Sequence, residues 1–265
     1  MGKKRADILL FEKGLVDSRE KGKRVIMEGS VYIGTRRIDK PGEYIEESEN
    51  IIIKTNPIIY VSRGGLKLEK AIESFDLDLS NLIAMDIGAS TGGFTDCMLK
   101  NGAKKVFAVD VGYGQLDWKL RNDPRVIVME RTNIRNVTSD DIGEEIDFIS
   151  IDVSFISLTL VLPVAKKLLA HDGKIVALVK PQFEAGRERV GKKGIVRDKK
   201  THFDTIKKVV EFSKEIGLIA NSLVFSPITG TTGNIEFLLY LKNSGDYIND
   251  DFILKTIVEA HNILR

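Results

Sequence analysis

The sequence predicts an α/β protein, in which a mostly parallel seven-stranded sheet has helices on both faces and follows a small α+β module. Short apolar runs alternate with helical stretches through most of the chain, a glycine-rich turn follows the first of these runs, and the first sixty residues differ in texture from the rest. Near-continuous apolar strands that alternate with helices are typical of a parallel sheet covered on both faces. The predicted strands are residues 82–87, 105–111, 126–130, 146–153, 174–179, 218–225 and 235–242.

The helices and the end of the sheet follow from the same pattern. Helical periodicity is clearest at residues 157–170 and 199–215. No obvious helical stretch separates the last two strands. We therefore expect those two strands to form an antiparallel hairpin at the end of the sheet.

The small module is predicted to comprise residues 1–55. Ser18 is a plausible N-cap for its second helix, because a serine hydroxyl can accept a hydrogen bond from an amide of the first turn. Glycines then punctuate a stretch of short alternating strands and turns. The predicted segments are helices at 5–13 and 18–28, short strands within 29–42, and a closing run at 51–54.

A joint between the two parts is predicted at Asn56-Pro57. Proline cannot donate a ladder hydrogen bond, and it pushes the residue before it out of the helical conformation. We expect residues 56–61 to be a linker, which leaves residues 62–265 as the second domain.

The net charge is only +2, but its distribution is uneven. Residues 1–25 carry eight Lys or Arg against four Asp or Glu, and residues 185–208 carry nine against three. Such patches can form the electrostatic footprint for a polyanion such as nucleic acid. A charged run is also a common solvated face, and charge alone does not separate these two interpretations.

Composition narrows the cellular context. The single cysteine, Cys97, excludes an intrachain disulfide framework and fits a reducing cytosol. The three histidines share no ligand spacing, so we expect no metal site. The amino terminus lacks the apolar core of a signal peptide, and no apolar run reaches membrane-spanning length. We therefore expect a soluble, cytoplasmic protein.

A glycine-rich turn, Asp86-Ile-Gly-Ala-Ser-Thr-Gly-Gly-Phe-Thr95, follows the first apolar strand and opens a helix. It resembles a dinucleotide fingerprint, but Ser90 stands where the second glycine would approach a pyrophosphate, so a cofactor without phosphates fits better. Asp110 ends the next strand, where an acidic side chain accepts hydrogen bonds from ribose hydroxyls. Together these features indicate an S-adenosylmethionine pocket, although ordinary Rossmann-like turn chemistry would give the same pair of features.

Four polar residues fall where a parallel sheet opens its ligand crevice. Asp152 and Lys180 end two strands, Glu236 begins the last strand, and Lys67 precedes the sheet on a predicted helix. Lys67 and Glu236 could be surface charges, and Asp152 could be a helix cap. Lys180 is harder to assign to the surface, since it follows Ala-Leu-Val and precedes proline at a buried edge, where an unpaired charge is costly.

The amino-terminal motifs resemble the RNA-binding domain of ribosomal-protein S-four type. The matching segments are Ala6-Asp-Ile-Leu-Leu, Gly14-Leu-x-x-Ser-Arg-Glu-Lys21, Gly29-x-Val-Tyr-Ile-Gly34 and Lys40-Pro-Gly42. Ala6 departs from the leucine that is usual in that family. The resemblance implies that the helix pair presents basic residues to RNA, here Arg5, Arg19, Lys21, Lys23 and Arg24.

The set Lys67, Asp152, Lys180 and Glu236 matches the Lys-Asp-Lys-Glu tetrad of FtsJ (RrmJ) type ribose 2′-O-methyltransferases. Combined with the amino-terminal module, the chain resembles the TlyA family, also called hemolysin A, over nearly its whole length. The motifs are Val61-Ser-Arg-Gly-Gly-Leu-Lys67, the glycine-rich turn, Ile151-Asp-Val-Ser-Phe-Ile156 and Val179-Lys-Pro-Gln-Phe-Glu184. The resemblance implies a class I methyltransferase fold and cytidine 2′-O-methylation in small-subunit ribosomal RNA, with some members also modifying the large-subunit RNA.

Roles for the tetrad follow from the chemistry of methyl transfer. An in-line displacement on a ribose hydroxyl requires aligned ligands and loss of the hydroxyl proton. We assign Lys180 as the base, its pKa lowered by the nearby Lys67 cation, with Lys67 and Glu236 as orienting partners and Asp152 as a bridge between donor and substrate. The proton could also leave late, to water. The predicted donor contacts are Asp86, Gly88, Ala89, Ser90, Thr91, Gly92, Gly93, Phe94, Asp110, Val111, Asn133 and Asp152.

A basic, glycine-containing loop at residues 184–197 is expected to be flexible and to fold over bound RNA, although an idle surface loop is the competing interpretation. Its predicted RNA contacts, together with one residue near the tetrad, are Arg187, Arg189, Lys192, Lys193 and Arg63. The sequence has two alternative interpretations. The first is a non-catalytic RNA-binding assembly factor, which the intact tetrad disfavours. The second is a pore-forming hemolysin, which the absence of membrane-spanning apolar segments disfavours.

Overall fold

The computed structural model describes residues 2–27, 29–53, 60–191 and 193–264. The chain divides into two compact units, Met1–Ile59 and Tyr60–Arg265. Of the predicted linker at 56–61, residues 56–59 lie outside the described residues.

The described residues of the first unit form two helices and two small antiparallel sheets. Ser18 accepts a hydrogen bond from the Lys21 amide (3.2 Å), as an N-cap does. The helices and strands enclose a small apolar core that includes Leu10, Ile26 and Ile45. The elements are β1 (Lys3–Arg5), α1 (Ala6–Glu12), α2 (Arg19–Met27), β2 (Val31–Ile33), β3 (Arg36–Arg37), β4 (Tyr44–Glu46) and β5 (Ile51–Ile53), with sheet orders β1-β4 and β3-β2-β5.

The second unit is built on the predicted seven-stranded sheet. Its strands are β6 (Ile83–Ile87), β7 (Lys105–Val109), β8 (Val126–Met129), β9 (Ile146–Ile151), β10 (Leu169–Val179), β11 (Ile219–Phe225) and β12 (Phe237–Lys242). Their spatial order is β11-β12-β10-β9-β6-β7-β8. The neighbours from β10 to β8 pair in parallel, whereas β12 is antiparallel to both β10 and β11. The fold class and the terminal hairpin are therefore confirmed.

Helices cover both faces of this sheet. Successive strand residues point to opposite faces, and Phe148 and Ile149 accordingly belong to two different apolar cores. The predicted helix at 157–170 is shorter than expected, because a 3₁₀ turn at Leu158–Leu160 precedes it and β10 already begins at Leu169. The helices are α3 (Gly64–Ser74), α4 (Gly93–Lys100), α5 (Trp118–Arg121), α6 (Ser139–Ile142), α7 (Leu162–Leu168), α8 (Pro181–Glu184), α9 (Lys199–Glu215) and α10 (Asp250–Leu264).

One edge of the sheet collects the polar residues that the sequence singles out. Asp152 and Lys180 directly follow β9 and β10, at the carboxyl ends of parallel strands. Because β12 runs the other way and Phe237 pairs with Val179, Glu236 lies at the same edge. Within the described residues, no helix is long and apolar enough to cross a membrane. No group of three or more His, Cys, Asp or Glu side chains there is arranged to hold a metal ion.

Candidate active site

The turn after β6 is shaped by close backbone packing. Gly88 adopts φ +89°, and a Cβ at this position would lie 2.4 Å from the carbonyl oxygen of Asp152. Only glycine tolerates both that conformation and that approach. Ser90 also has a positive φ, +48°, which is uncommon for a residue with a side chain. The turn therefore lies directly against the strand end that carries Asp152.

Asp86 is buried beneath this turn. Its side chain accepts hydrogen bonds from the Thr95 amide (2.8 Å) and hydroxyl (2.7 Å) and from the Ser150 hydroxyl (3.2 Å). Burial raises the pKa of this carboxyl to about 7, and the nearby charge of Asp152 adds to the rise. With no exposed surface and three protein donors, Asp86 is placed to hold the turn against α4. The sequence instead predicts that Asp86 contacts the methyl donor directly.

Asp110 connects the turn to the end of β7. One carboxylate oxygen accepts from the Ser90 amide (2.8 Å) and the other from the Gly112 amide (2.6 Å). Each oxygen retains a lone pair for a further donor. The carboxylate is thus held beside the turn and can still accept ribose hydroxyls, and the neighbouring Val111 is 71% exposed. These residues fit an adenosine-containing donor such as S-adenosylmethionine.

The Asn133 side chain caps a short turn near the donor region. Its side-chain oxygen accepts from the backbone and side chain of Arg135 (3.2 Å each) and caps a short 3₁₀ turn. The preceding residue, Thr132, donates its amide to the Asp110 carbonyl (2.9 Å). Asn133 therefore follows a segment held against the donor region, but its side-chain oxygen is engaged locally.

Lys67 and Glu236 form a buried ion pair. The Lys67 Nζ donates to Glu236 Oε2 at 2.6 Å, and the two side chains are only 11% and 4% exposed. Burial acts to lower the pKa of Lys67, but the charges of Asp152 and Glu236 and the hydrogen bond to Glu236 outweigh it and raise the pKa. Lys67 is therefore an ammonium at neutral pH, which is the state required of an orienting cation.

Lys180 and Asp152 form the second pair. The Lys180 Nζ lies 2.5 Å from Asp152 Oδ1 and donates to the Ser154 hydroxyl at 3.0 Å. The contact between Lys180 and Asp152 has the distance of an ion pair. It is not a well-formed hydrogen bond, and among the described residues no group donates a hydrogen bond to Asp152 Oδ1. Because the charge of Asp152 also acts on Lys67, the two pairs lie within electrostatic reach of each other. The structure thus brings all four tetrad residues together.

Comparison with known proteins identifies the family. The FtsJ-like methyltransferase family model matches residues 60–243, and the S4 domain model matches residues 4–51. The chain is an FtsJ-like methyltransferase with an S4 domain. It is 55% identical to YqxC of Bacillus subtilis, which is named as a candidate rRNA methyltransferase, over 99% of this chain and 96% of that protein.

Two further relatives confirm the predicted TlyA family. TlyA of Mycobacterium tuberculosis, named a 16S/23S rRNA (cytidine-2′-O)-methyltransferase, is 41% identical over 91% of each chain. A solved structure described as a candidate hemolysin from Streptococcus thermophilus has a TM-score of 0.79 and 49% identity, and covers 99% of this chain and 97% of that chain. Apart from such names, nothing in these comparisons supports a pore-forming activity.

The glycines of the motif at residues 61–67 are explained by how closely α3 packs on α4. A Cβ at Gly93 would lie 2.9 Å from the Gly65 amide nitrogen and 2.4 Å from the Ser62 hydroxyl, and a Cβ at Gly65 would collide with the Tyr60 ring. The start of α3 therefore packs directly on the start of α4. This close packing of glycines fixes Lys67, one half-turn further along α3, at the rim of the sheet.

Sequence reasoning missed two features beside Lys180. Ser154 accepts a hydrogen bond from Lys180, a contact that the motif at residues 151–156 does not predict. Phe155 adopts φ +63° and is 91% exposed, and its ring lies 5.0 Å from that of Phe183. An aromatic residue held exposed in a strained conformation marks a contact surface, but neither the strain nor the exposure can be read from the sequence.

The predicted RNA contacts in the S4 domain are organised by acidic residues. Arg5 and Arg19 both donate to the buried carboxylate of Asp7, at 3.0 and 2.9 Å through their Nε atoms. Their side chains remain 37% and 49% exposed. Lys21 pairs with Asp17 and Lys23 with Glu20 on the surface, and Arg24 is exposed on the same helix.

The predicted RNA contacts in the basic loop of the methyltransferase domain differ in their pairing. Arg187 and Lys193 are exposed, whereas Arg189 pairs with Asp204 at 2.7 Å. Lys192 lies outside the described residues. Arg63 precedes α3, and its positive charge acts to lower the pKa of Lys67, which places it near the tetrad.

Proposed function

We propose that this protein transfers the methyl group of S-adenosylmethionine to a cytidine ribose 2′-hydroxyl in small-subunit ribosomal RNA, with large-subunit RNA as a second substrate. The observation that carries the proposal is the pairing of Lys67 with Glu236 and of Lys180 with Asp152 beside the glycine-rich turn. The activity for which the M. tuberculosis relative is named supports the substrate class. Because the proposed substrate is ribosomal RNA, we expect the protein to act in the cytoplasm.

The donor supplies a methyl group that is electrophilic because it is bonded to a sulfonium. Asp110, which the Ser90 and Gly112 amides hold in place, would accept the donor's ribose hydroxyls, and the backbone of residues 88–94 would hold the rest of the donor. The short contact between Gly88 and the Asp152 carbonyl keeps the donor turn and the tetrad in one arrangement. This alignment lowers the entropic barrier to an in-line displacement.

The substrate hydroxyl must lose its proton as its oxygen bonds to the methyl carbon and the bond from that carbon to the donor sulfur breaks, which leaves the demethylated donor as the second product. We assign Lys180 to contact this hydroxyl and to receive its proton, which requires that the lysine first release its own proton to solvent and react as the uncharged amine. Asp152 and Ser154 hold the Lys180 amine from two sides. The Lys67–Glu236 pair is buried, so it fixes the geometry around them without exchanging with solvent.

Two further features suit an RNA substrate. Exposed aromatic rings stack on unpaired bases. Phe155 offers such a ring, and the half-buried ring of Phe183 lies beside it, 5.9 Å from the Lys180 Nζ. Exposed cations at Arg187 and Lys193 would contact phosphates. The S4 domain adds Arg5 and Arg19, which Asp7 holds in place.

The proposal is tested by labelled methyl transfer to small ribosomal subunits that lack this modification. Wild-type protein and Lys255→Ala, which removes an exposed lysine of α10, should transfer the label equally well. Lys180→Ala should reduce the single-turnover rate about 100-fold or more, the usual scale for a lost general base, while donor binding is kept. Absence of transfer by wild-type protein to either subunit would refute the proposed substrate. Full activity of Lys180→Ala would refute the role of Lys180.

A further inference from the structure

Besides the Arg189–Asp204 ion pair, a buried amide side chain holds the basic loop to the rest of the methyltransferase domain. Asn234 has no exposed surface. Its Oδ1 accepts a hydrogen bond from the Val196 amide at 2.9 Å, and its Nδ2 donates to the Gly194 carbonyl at 2.8 Å. The side chain therefore pairs with the loop backbone through a donor and an acceptor at once, directly after the exposed Lys193.

The same residue closes a tight turn over the active site. The Gly230 amide donates to the Asn234 carbonyl at 2.9 Å, and the Gly233 amide donates to the Gly230 carbonyl at 2.8 Å. On its other side this turn lies against the tetrad, because a Cβ at Gly230 would lie 2.5 Å from Glu236 Oε1. The turn at 230–234 thus contacts the basic loop through Asn234 and the Glu236 carboxylate through Gly230.

We propose that Asn234 is a positioning residue that couples RNA binding by the basic loop to the geometry of the Glu236–Lys67 pair. The inference rests on the proposed function. The Asn234 side chain joins the loop to the turn, so it helps to fix RNA phosphates held by Arg187 and Lys193 relative to Glu236. Without it, the loop is held less firmly to the turn, and the distance between the loop's cations and the reacting ribose is less well defined.

Only a side chain with both an acceptor and a donor, such as the amide of Asn234, can form both hydrogen bonds to the loop backbone. An aspartate at the same position keeps the acceptor for the Val196 amide but replaces the donor with an oxygen that repels the Gly194 carbonyl. An alanine loses both bonds, so the Val196 amide and the Gly194 carbonyl each lose their hydrogen bond to this side chain. Asn234→Asp and Asn234→Ala therefore form a graded pair, and the conservative variant keeps the test open if the alanine variant folds poorly.

A double-mutant cycle tests the coupling. The loop variant Arg187→Ala/Arg189→Ala/Lys193→Ala is compared with its parent for affinity toward the ribosomal subunit at fixed salt, in the wild-type and Asn234→Asp backgrounds. The loop substitutions should weaken binding in the wild-type background, and their effect should be about threefold or more smaller when Asn234 is replaced, because coupled residues are not additive. Equal effects in both backgrounds, or no effect in the wild-type background, would overturn the proposal.

Lys21→Ala is the matched control. It removes a predicted RNA contact in the S4 domain, far along the chain from Asn234, so its effect on affinity should be the same in both backgrounds. Under saturating subunit, Asn234→Asp should also lower the single-turnover methylation rate, whereas the loop variant should mainly raise the subunit concentration needed for half-saturation. If Asn234→Asp changes only thermal stability and neither kinetic quantity, its role is structural and the inference fails.

A measurement without RNA separates this inference from the proposed function. Trypsin cleaves after the loop residues Arg187, Arg189, Lys193 and Arg197. Asn234→Asp should be cut there about tenfold faster than wild type, because local opening exposes the loop, while cleavage elsewhere is unchanged. An unchanged rate would refute the tether even if ribosomal methylation is demonstrated. Faster loop cleavage with no methylation of any ribosomal subunit would instead refute the proposed function.

Discussion

The buried Lys67–Glu236 pair gives the sharpest stability prediction. Replacing Glu236 with Gln keeps the shape of the side chain but leaves the Lys67 ammonium buried without its hydrogen-bonded carboxylate. Breaking a buried pair costs about 3–5 kcal/mol of unfolding free energy. Since the charge of Asp152 also acts on Lys67, we expect the lower end of this range, about 3 kcal/mol.

The reverse substitution, Lys67→Met, leaves the Glu236 carboxylate buried and without a cation. An unpaired buried charge is costly, so this variant should also lose about 3–5 kcal/mol of unfolding free energy. The double variant Lys67→Met/Glu236→Leu buries neither charge and should regain most of the lost stability, while methyl transfer stays lost.

Urea unfolding followed by circular dichroism measures these differences, and amide exchange in β12 assigns the transition to the methyltransferase domain. The matched control is the Lys207–Asp250 pair, which has the same 2.6 Å separation but side chains that are 37% and 55% exposed. Breaking that pair should cost at most about 1 kcal/mol. Equal small losses at both pairs would show that the Lys67–Glu236 contact is hydrated in solution and would refute the reasoning.

Two further predictions concern the donor turn. Because burial raises the Asp86 pKa to about 7 from 3.8, its stability contribution is complete at low pH and is lost as pH rises toward and through 7, by on the order of 4 kcal/mol in total. Asp86→Asn should therefore show a flatter pH dependence of unfolding between pH 4 and 8, and identical slopes in the two proteins would place the Asp86 pKa near its ordinary value. Asp110→Ala should weaken S-adenosylmethionine binding by about 1.5–3 kcal/mol, roughly 10- to 100-fold by calorimetry, because charged hydrogen bonds to the ribose are lost. Unchanged affinity would remove Asp110 from the donor site.

The parts of the fold that the sequence predicted are those with a strong local signal. Helix α9 begins and ends where the periodicity does, and Asp198 caps it by accepting from the Thr201 amide. The central strands β6, β7 and β9 were found because most of their residues are buried and apolar. Helix α10 was not predicted, although Ile253, Ile257 and Ala260 form its buried stripe.

The site was predictable as a set of residues but not as a set of contacts. The strand ends gave Asp152 and Lys180, since parallel strands bring their carboxyl ends to one edge. The antiparallel last strand brings its start, and with it Glu236, to the same edge. Which lysine pairs with which carboxylate depends on long-range packing, as the separation of Lys67 and Glu236 by 169 positions shows. The same holds for Asn234, whose partners lie about forty residues earlier in the chain.

Mapping the methyl group on ribosomal RNA tests the central claim most directly. Small subunits lacking the modification are incubated with S-adenosylmethionine and either wild-type protein or Lys180→Ala, and the RNA is then digested to nucleosides and analysed by mass spectrometry. The tetrad geometry predicts 2′-O-methylcytidine with wild-type protein and a yield about 100-fold lower in the same time with Lys180→Ala. A methyl group on the cytosine base, or an equal yield from both proteins, would contradict it.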